Sequence, residues 1–277
     1  MNPVRLQGTS IEKRFGRVPA LRGIDFEIQP GESVAILGAN AAGKSTLLKI
    51  LAGLSRPSRG KFQALRHSPA DHADDQTDRT GASGVPLDRN ALRAEVGYVG
   101  HATLVYAELT ALENLAFSAR LHGLRPARET LDAVLDEVGL LEFASRRAGT
   151  FSRGMAQRLS IARAIVHAPH MLLLDEPFTG LDETSAERLS TQLAEQRADG
   201  RTLILVTHDP RRATELTDRA LVLHRGEIRA TPARAAGNFE LEALRRTLGQ
   251  LADSLVDGVV DGVGGHRRNE GRSEAAP

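Results

Sequence analysis

The chain has 277 residues, of which 41% are hydrophobic and 26% charged, as is typical of a globular protein of one large or two small domains. The formal net charge of +1 argues against a nucleic-acid partner, and none is expected. The absence of cysteine excludes disulfides and thiolate metal sites. The longest apolar runs are too short to cross a membrane, and the N-terminus lacks an apolar core, so we expect neither a transmembrane segment nor a signal peptide.

The N-terminal part predicts short strands that lead into a loop and a helix. Residues 4–37 indicate short strands with turns: LRGIDFEI alternates between apolar and polar residues, Pro30-Gly31 marks a turn, and SVAIL at 33–37 indicates a buried strand. A helical pattern begins at Lys44. Between strand and helix, GANAAGKS fits G-x-x-x-x-G-K-[ST] in the context that this phosphate-binding motif requires.

Such a loop points backbone N–H groups at phosphate oxygens, and the following helix N-terminus adds positive potential. We expect Lys44 to reach the β- and γ-phosphates of ATP and Ser45 to place its hydroxyl on Mg²⁺. A glycine-containing turn that binds nothing is the alternative, which the strand–loop–helix context disfavours. The other predicted cofactor-binding residues of the loop are Gly38, Ala39, Asn40, Ala41, Ala42, Gly43 and Thr46.

The middle of the chain begins with a polar segment and then turns helical. Residues 66–90 are rich in Asp and Gly without periodicity, which predicts a flexible surface insertion; their His and Asp spacing matches no metal-ligand set. Thr110 and Glu113 form a predicted capping box, and helical patterns continue to about residue 168.

The second half predicts buried strands at 171–174 and 202–207, separated by an amphipathic helix at about 183–198 that Gly200 ends. Two short strands surround Arg225-Gly226, and one amphipathic helix follows residue 231 before a tail expected to be disordered. The apolar positions of that helix are Phe239, Leu241, Leu244 and Leu248. Strands alternating with helices predict an α/β fold with a mainly parallel sheet and an inserted helical block.

Three polar residues follow the predicted buried strands. Asp175 emerges at a strand end, where it can hold Mg²⁺, usually through water, and Glu176 suits a general base for the attacking water. The alternative is a strand exit with solvated acids. His208 follows the next strand and is placed to contact the γ-phosphate, although a lone histidine is more often structural.

FSRGM at 151–155 opens a helix whose first N–H groups form a second anion site. One chain needs only one phosphate cradle. We therefore expect Ser152, Arg153 and Gly154 to bind a nucleotide held by a second copy of the domain, packed head to tail. The alternative is a simple helix start with Ser152 as its cap.

These motifs, in this order, resemble the ATP-binding subunits of ABC transporters over about residues 4–230. GANAAGKST resembles the Walker A motif, FSRGM the signature, MLLLDEP the Walker B motif, TGLD the D-loop and THD the H-switch. The resemblance implies a P-loop NTPase (ABC ATPase) with an N-terminal antiparallel β-subdomain, an inserted α-helical subdomain at about 100–168 and a C-terminal extension at 231–277. It also implies ATP hydrolysis as a homodimer on an integral membrane permease, peripherally at the cytoplasmic face of the plasma membrane.

By the same resemblance, Lys44, Glu176 and His208 are the predicted catalytic residues, and Phe15 stacks on adenine, for which it offers a flat apolar face. Asp182 of the D-loop is placed at the nucleotide. Predicted metal residues are Ser45, Asp175 and His101, of which His101 is also placed at the nucleotide.

Three motifs depart from the family pattern at four positions: in the Walker A motif Ala41 stands for glycine, in the signature Arg153 and Met155 stand for glycine and glutamine, and His101 replaces the Q-loop glutamine. Gly100-His101 and the ELTALENL that follows resemble the haem-exporter ATPase of cytochrome c maturation. The alternatives are an exporter ATPase for a drug, lipid or polysaccharide, or a soluble ABC ATPase outside transport.

Overall fold

The computed structural model describes residues 4–66, 84–232, 241–242 and 244–249. Apart from short 3-10 turns, the principal elements within 4–66 and 84–232 follow in chain order. They are β1 (Val4–Phe15), β2 (Val18–Ile28), β3 (Ser33–Leu37), α1 (Lys44–Leu51), β4 (Arg59–Arg66), β5 (Val85–Pro86), α2 (Arg89–Ala94), β6 (Val96–Val99), α3 (Ala111–Leu121), α4 (Arg128–Glu137), α5 (Arg153–Ile165), β7 (Met171–Asp175), α6 (Glu183–Ala198), β8 (Thr202–Val206), α7 (Pro210–Leu216), β9 (Arg219–His224) and β10 (Glu227–Ala230).

The strands form two sheets. The smaller sheet is antiparallel, in the order β2-β1-β4-β5, and the larger one runs β10-β9-β3-β8-β7-β6. All neighbours in the larger sheet are parallel except the hairpin of β9 and β10. Helices α3, α4 and α5 lie in sequence between β6 and β7. The predicted α/β fold with a mainly parallel sheet is therefore confirmed.

The larger sheet is buried on both faces. Every residue of β3, β7 and β8 is buried, as expected for central strands of a parallel sheet covered by helices. Alternate side chains of β7 enter different clusters: Leu173 packs in the one that contains Leu47 of α1, whereas Leu172 and Leu174 pack in the one that contains Leu159 of α5. The sheet thus separates α1 from the inserted helices.

Local signals set several boundaries as predicted. Thr110 and Glu113 form the capping box: the Glu113 carboxylate accepts the Thr110 N–H at 2.8 Å, and the Thr110 hydroxyl accepts the Glu113 N–H at 3.2 Å. Gly200 follows α6 with φ 81°, a conformation that suits glycine beyond a helix end.

The prediction of a flexible insertion over 66–90 was wrong for its last residues. Val85–Pro86 pairs with the end of β4, so that Arg66 lies opposite Val85. Asp88 then caps α2 by accepting the N–H groups of Asn90 and Ala91 at 2.9 and 2.8 Å. A two-residue strand leaves no periodic pattern, because its stability comes from a partner remote in sequence. Residues 67–83 lie outside the described part of the chain.

Residues 241–242 and 244–249 are helical, in agreement with the predicted C-terminal helix. Leu244 is fully buried in a cluster with Leu37 and Val222, and Leu248 packs against the same cluster. Phe239 and the predicted disordered tail lie outside the described residues. Across the described ranges, no helix combines the length and apolar character needed to cross a membrane.

Candidate active site

The loop between β3 and α1 is shaped by glycines at positive φ. Gly38 has φ 144° and Gly43 has φ 105°, both in the region that favours glycine. A Cβ on Gly43 would lie 2.6 Å from the carbonyl oxygen of Ala20, so only glycine lets β2 approach the loop this closely. The buried Lys44 places its ammonium inside the loop, where it donates to the carbonyl oxygens of Gly38 and Ala39 at 2.8 and 3.1 Å.

Ala41 keeps the loop in shape without a glycine. Its φ is 62°, in the left-handed region that costs a residue with a Cβ about 1–2 kcal/mol. The departure at Ala41 is thus accompanied by local backbone strain.

The first residues of α1 meet the end of β7. The Ser45 hydroxyl donates to Oδ1 of Asp175 at 3.1 Å, although 130 residues separate them in sequence. Both lie at the carboxyl edge of the parallel strands, where α/β sheets bind ligands. Asp175 is almost fully buried. A hydroxyl beside a carboxylate is an oxygen donor set of the kind that Mg²⁺ prefers, so these residues fit the predicted ion.

Tyr98 of β6 lies close to this carboxylate, and sequence reasoning did not single it out. Burial, together with the negative charge of Asp175, raises the pKa of Tyr98 to about 12. The phenol therefore stays neutral at physiological pH.

Glu176 and His208 form a hydrogen-bonded pair. Nδ1 of His208 donates to Oε2 of Glu176 across 2.7 Å. Glu176 has φ 53°, and its N–H donates to the carbonyl oxygen of Val206 at 2.9 Å, which fixes the backbone at the exit of β7. The Glu176 side chain is 17% exposed and that of His208 70%. A carboxylate held by one partner and still open to solvent has the arrangement required of a general base.

The start of α5 lies beside the start of α6. The Ser152 hydroxyl accepts the Met155 N–H at 3.2 Å, which is the capping role given above as the alternative for this segment. A Cβ on Gly154 would lie 3.1 Å from Oγ of Ser185. Asp182 caps α6, and the Ser185 N–H and hydroxyl hold the pKa of this exposed carboxyl below its usual value. Among the described residues, no hydrogen bond or ion pair joins 152–154 to the loop of 38–46.

Phe15 ends β1 as an exposed aromatic ring. It pairs with Val18 across the hairpin, and both side chains are more than half exposed. The Lys13 ammonium lies 5.2 Å from the centre of the Phe15 ring. Because β2 continues from Val18 to Ala20, which approaches Gly43, this exposed face lies next to the phosphate-binding loop.

His101 lies at the same edge of the sheet, just beyond β6. Val99 pairs with Leu174 in parallel register, so the chain leaves β6 beside Asp175. His101 is exposed and, among the described residues, has no hydrogen bond or ion pair. The structure thus brings together Ser45 with Asp175, and Glu176 with His208. It leaves His101 and the segment 152–154 outside those contacts.

This chain is similar in sequence to known proteins over most of its length. A family model described as ABC transporter matches residues 21–179. The fluoroquinolones export ATP-binding protein of Mycobacterium tuberculosis is 35% identical over 227 residues, which are 81% of this chain and 69% of that protein. The macrolide export ATP-binding/permease protein MacB of Rhodopseudomonas palustris is 37% identical over 79% of this chain, which spans 33% of that longer protein.

The fold is also similar to solved structures. The ATP-binding cassette MJ0796, solved as a dimer in a post-hydrolysis state bound to ADP and Pi, matches with a TM-score of 0.69 at 27% sequence identity. The match covers 83% of this chain and 99% of that one.

Proposed function

Since the chain belongs to the ABC transporter family, we propose that it is the ATP-hydrolysing subunit of a membrane transporter. The observation that carries this proposal is the meeting of two polar pairs at one sheet edge. Ser45 is hydrogen-bonded to Asp175, and Glu176 is hydrogen-bonded to His208. Both pairs lie beside the glycine-containing phosphate-binding loop. This arrangement supports the proposal of a cation site, a base and a phosphate cradle within one site.

In the proposed mechanism, residues 38–46 bind the phosphates of ATP through backbone N–H groups, and the Lys44 ammonium exchanges its loop carbonyls for phosphate oxygens. Phe15 stacks on adenine beside the loop. Ser45 and Asp175 would hold Mg²⁺, which would neutralise phosphate charge. His101, just beyond β6 at the same edge, is the third residue proposed to lie at the ion.

For hydrolysis, Glu176 takes a proton from the attacking water while the water oxygen bonds to the γ-phosphorus and the bond between that phosphorus and the ADP oxygen breaks, which releases ADP and inorganic phosphate. His208 holds the carboxylate in place through its 2.7 Å hydrogen bond. The same exposed imidazole is proposed to contact the γ-phosphate, so that loss of this phosphate would alter the position of the Glu176 carboxylate.

Ser152, Arg153, Gly154 and Asp182 are proposed to contact ATP held by a second copy of the chain. Their supporting observation is that they cluster at the starts of α5 and α6 without a hydrogen bond or ion pair to this chain's own residues 38–46, as far as the structure describes them. The similar cassette MJ0796, solved as a dimer, supports the same assembly. ATP binding would then bring two copies together, and hydrolysis would separate them.

The proposed partner is an integral membrane permease, with this subunit peripheral at the cytoplasmic face. Export is the proposed direction, as in the names of two matched relatives, whereas other relatives of similar identity are named for import. Haem export for cytochrome c maturation stays a narrower prediction, which rests on the segment that begins at Gly100-His101. A drug, lipid or polysaccharide exporter remains the alternative cargo class.

The base assignment is tested with Glu176→Gln. We expect hydrolysis to fall by about 10²–10⁴-fold, because the amide cannot accept the proton of water. ATP affinity should persist, and size-exclusion chromatography with ATP should show a trapped dimer. Glu187→Gln, an exposed acid on α6, is the matched control and should behave as wild type. Wild-type turnover by Glu176→Gln would refute the assignment.

The partner is tested by pull-down of tagged Glu176→Gln protein with ATP from solubilised membranes, analysed by mass spectrometry. Recovery of a polytopic permease supports a transporter, and haem-handling proteins in the same eluate would support the cytochrome-maturation assignment. Recovery of ribosomal or nucleic-acid-binding proteins alone would instead support the assignment of the chain as a soluble ABC ATPase.

A further inference from the structure

Arg153, the residue that departs from glycine in the signature segment, packs on the turn before α6. Gly180, at φ 73°, leaves the space in which the Arg153 guanidinium lies, since a Cβ on Gly180 would overlap its Cζ, Nε and Nη1 atoms. One residue further along α5, Gly154 approaches Ser185. The first turn of α5 therefore contacts the 180–185 segment at two successive positions.

The turn that Arg153 covers is also hydrogen-bonded to the backbone of the proposed base, Glu176. The Thr179 N–H donates to the carbonyl oxygen of Glu176 at 3.2 Å. The Glu176 carboxylate holds His208 at 2.7 Å. A continuous set of contacts thus runs from Arg153 through Gly180 and Thr179 to Glu176 and His208.

We propose that Arg153 is a positioning residue that couples the two nucleotide sites of the dimer. By covering Gly180 it transmits engagement of the partner's ATP at 152–154 to Glu176, which serves the ATP of its own chain. This inference rests on the proposed function, because it needs a dimer with shared nucleotide sites. A planar guanidinium can lie flat on a glycine backbone, which a lysine ammonium does not reproduce.

The test is a double-mutant cycle on the full-length chain with Arg153→Ala, Gly180→Ala and the double variant. Residues that lie between two coupled sites change the coupling free energy by about 0.5–2 kcal/mol, which corresponds to about 2- to 30-fold in kcat. We expect Arg153→Ala to lower kcat by that factor, with unchanged ATP affinity of the isolated monomer. Gly180→Ala should lower kcat similarly, and the double variant should be no slower than either single one.

Arg153→Lys keeps the positive charge but removes the planar guanidinium, so its kcat should resemble that of Arg153→Ala. Arg188→Ala removes an exposed arginine from α6 and should keep wild-type kcat. Multiplicative losses in the double variant, or full activity in Arg153→Ala, would overturn the inference. Failure of wild-type protein itself to hydrolyse ATP would instead overturn the proposed function, so the two failures are distinguishable.

Discussion

Helices α1 and α5 both begin with a small, glycine-containing segment, yet their first turns are satisfied differently. At α1, Gly43 is the N-cap in a left-handed conformation, and among the described residues no side chain caps the helix. At α5, Ser152 is an extended N-cap whose hydroxyl accepts the Met155 N–H. The first helix leaves its N–H groups for an anion, whereas the second satisfies one of them within the chain.

The difference shows why one helix start can be a complete phosphate cradle and the other only half a site. The loop before α1 includes its own cation, because the ammonium of Lys44 lies inside it. The start of α5 is capped by a side chain of its own and offers a hydroxyl and one exposed arginine, Arg153. Such a surface suits a phosphate whose other contacts come from a second protein.

The largest effect on ATP binding and hydrolysis is expected at the start of α1, when the Lys44 ammonium is removed. Lys44→Ala removes the buried cation of the α1 cradle, so we expect ATP binding to be lost and hydrolysis to fall at least about 10²-fold. Lys49→Ala, an exposed lysine on the same helix, is the control and should hydrolyse ATP normally. Phosphate release and nucleotide titration measure both quantities. Tight ATP binding by Lys44→Ala would show that α1 does not depend on its own cation.

A bulky residue at the start of α5 should strongly reduce hydrolysis while leaving ATP binding by the single chain intact. Ser152→Arg obstructs the surface offered to the partner's nucleotide but leaves the loop at Gly43 and Lys44 unchanged. We expect hydrolysis to fall at least about 10-fold, by loss of dimer formation. Ala127→Arg places the same side chain at the exposed N-cap of α4 and should be active. Normal hydrolysis by Ser152→Arg would argue against a shared site.

Alanine at the two glycines should affect stability unequally. Gly43→Ala forces a Cβ against the Ala20 carbonyl at φ 105°, which should cost about 2 kcal/mol or more of unfolding free energy. Gly154 is helical, so alanine gains up to about 1 kcal/mol of helix propensity against a tight contact with Ser185. Urea unfolding should show a large loss for the first variant and a change within about 1 kcal/mol for the second. Equal losses would show that the two segments are equally constrained.

The smallest effect is expected for the cap itself. Ser152→Ala removes the acceptor of the Met155 N–H and should cost about 1 kcal/mol of stability, whereas Ser152→Asp keeps an acceptor and should cost less. Thermal unfolding of the two variants measures the difference. Identical melting temperatures would mean that water replaces the cap without loss.

Elements with a strong local signal were predictable from the sequence. The apolar run SVAIL gave β3 with the predicted bounds, and the phosphate-loop motif required Lys44 at the start of α1. Strand β5 and helix α2 were missed, because a two-residue strand and a six-residue helix carry almost no periodicity. The Glu176–His208 hydrogen bond was also not predicted, since it spans 32 residues and depends on β7 lying beside β8.

The left-handed backbone of Glu176 has a consequence for how this sequence can change over generations. A glutamate at φ 53° is under strain that glycine would relieve, to the extent of about 1 kcal/mol. Replacement by glycine would therefore relieve this backbone strain and remove the proposed base. Selection for folding alone would favour that replacement, so retention of the acid at this position would require continued selection for turnover.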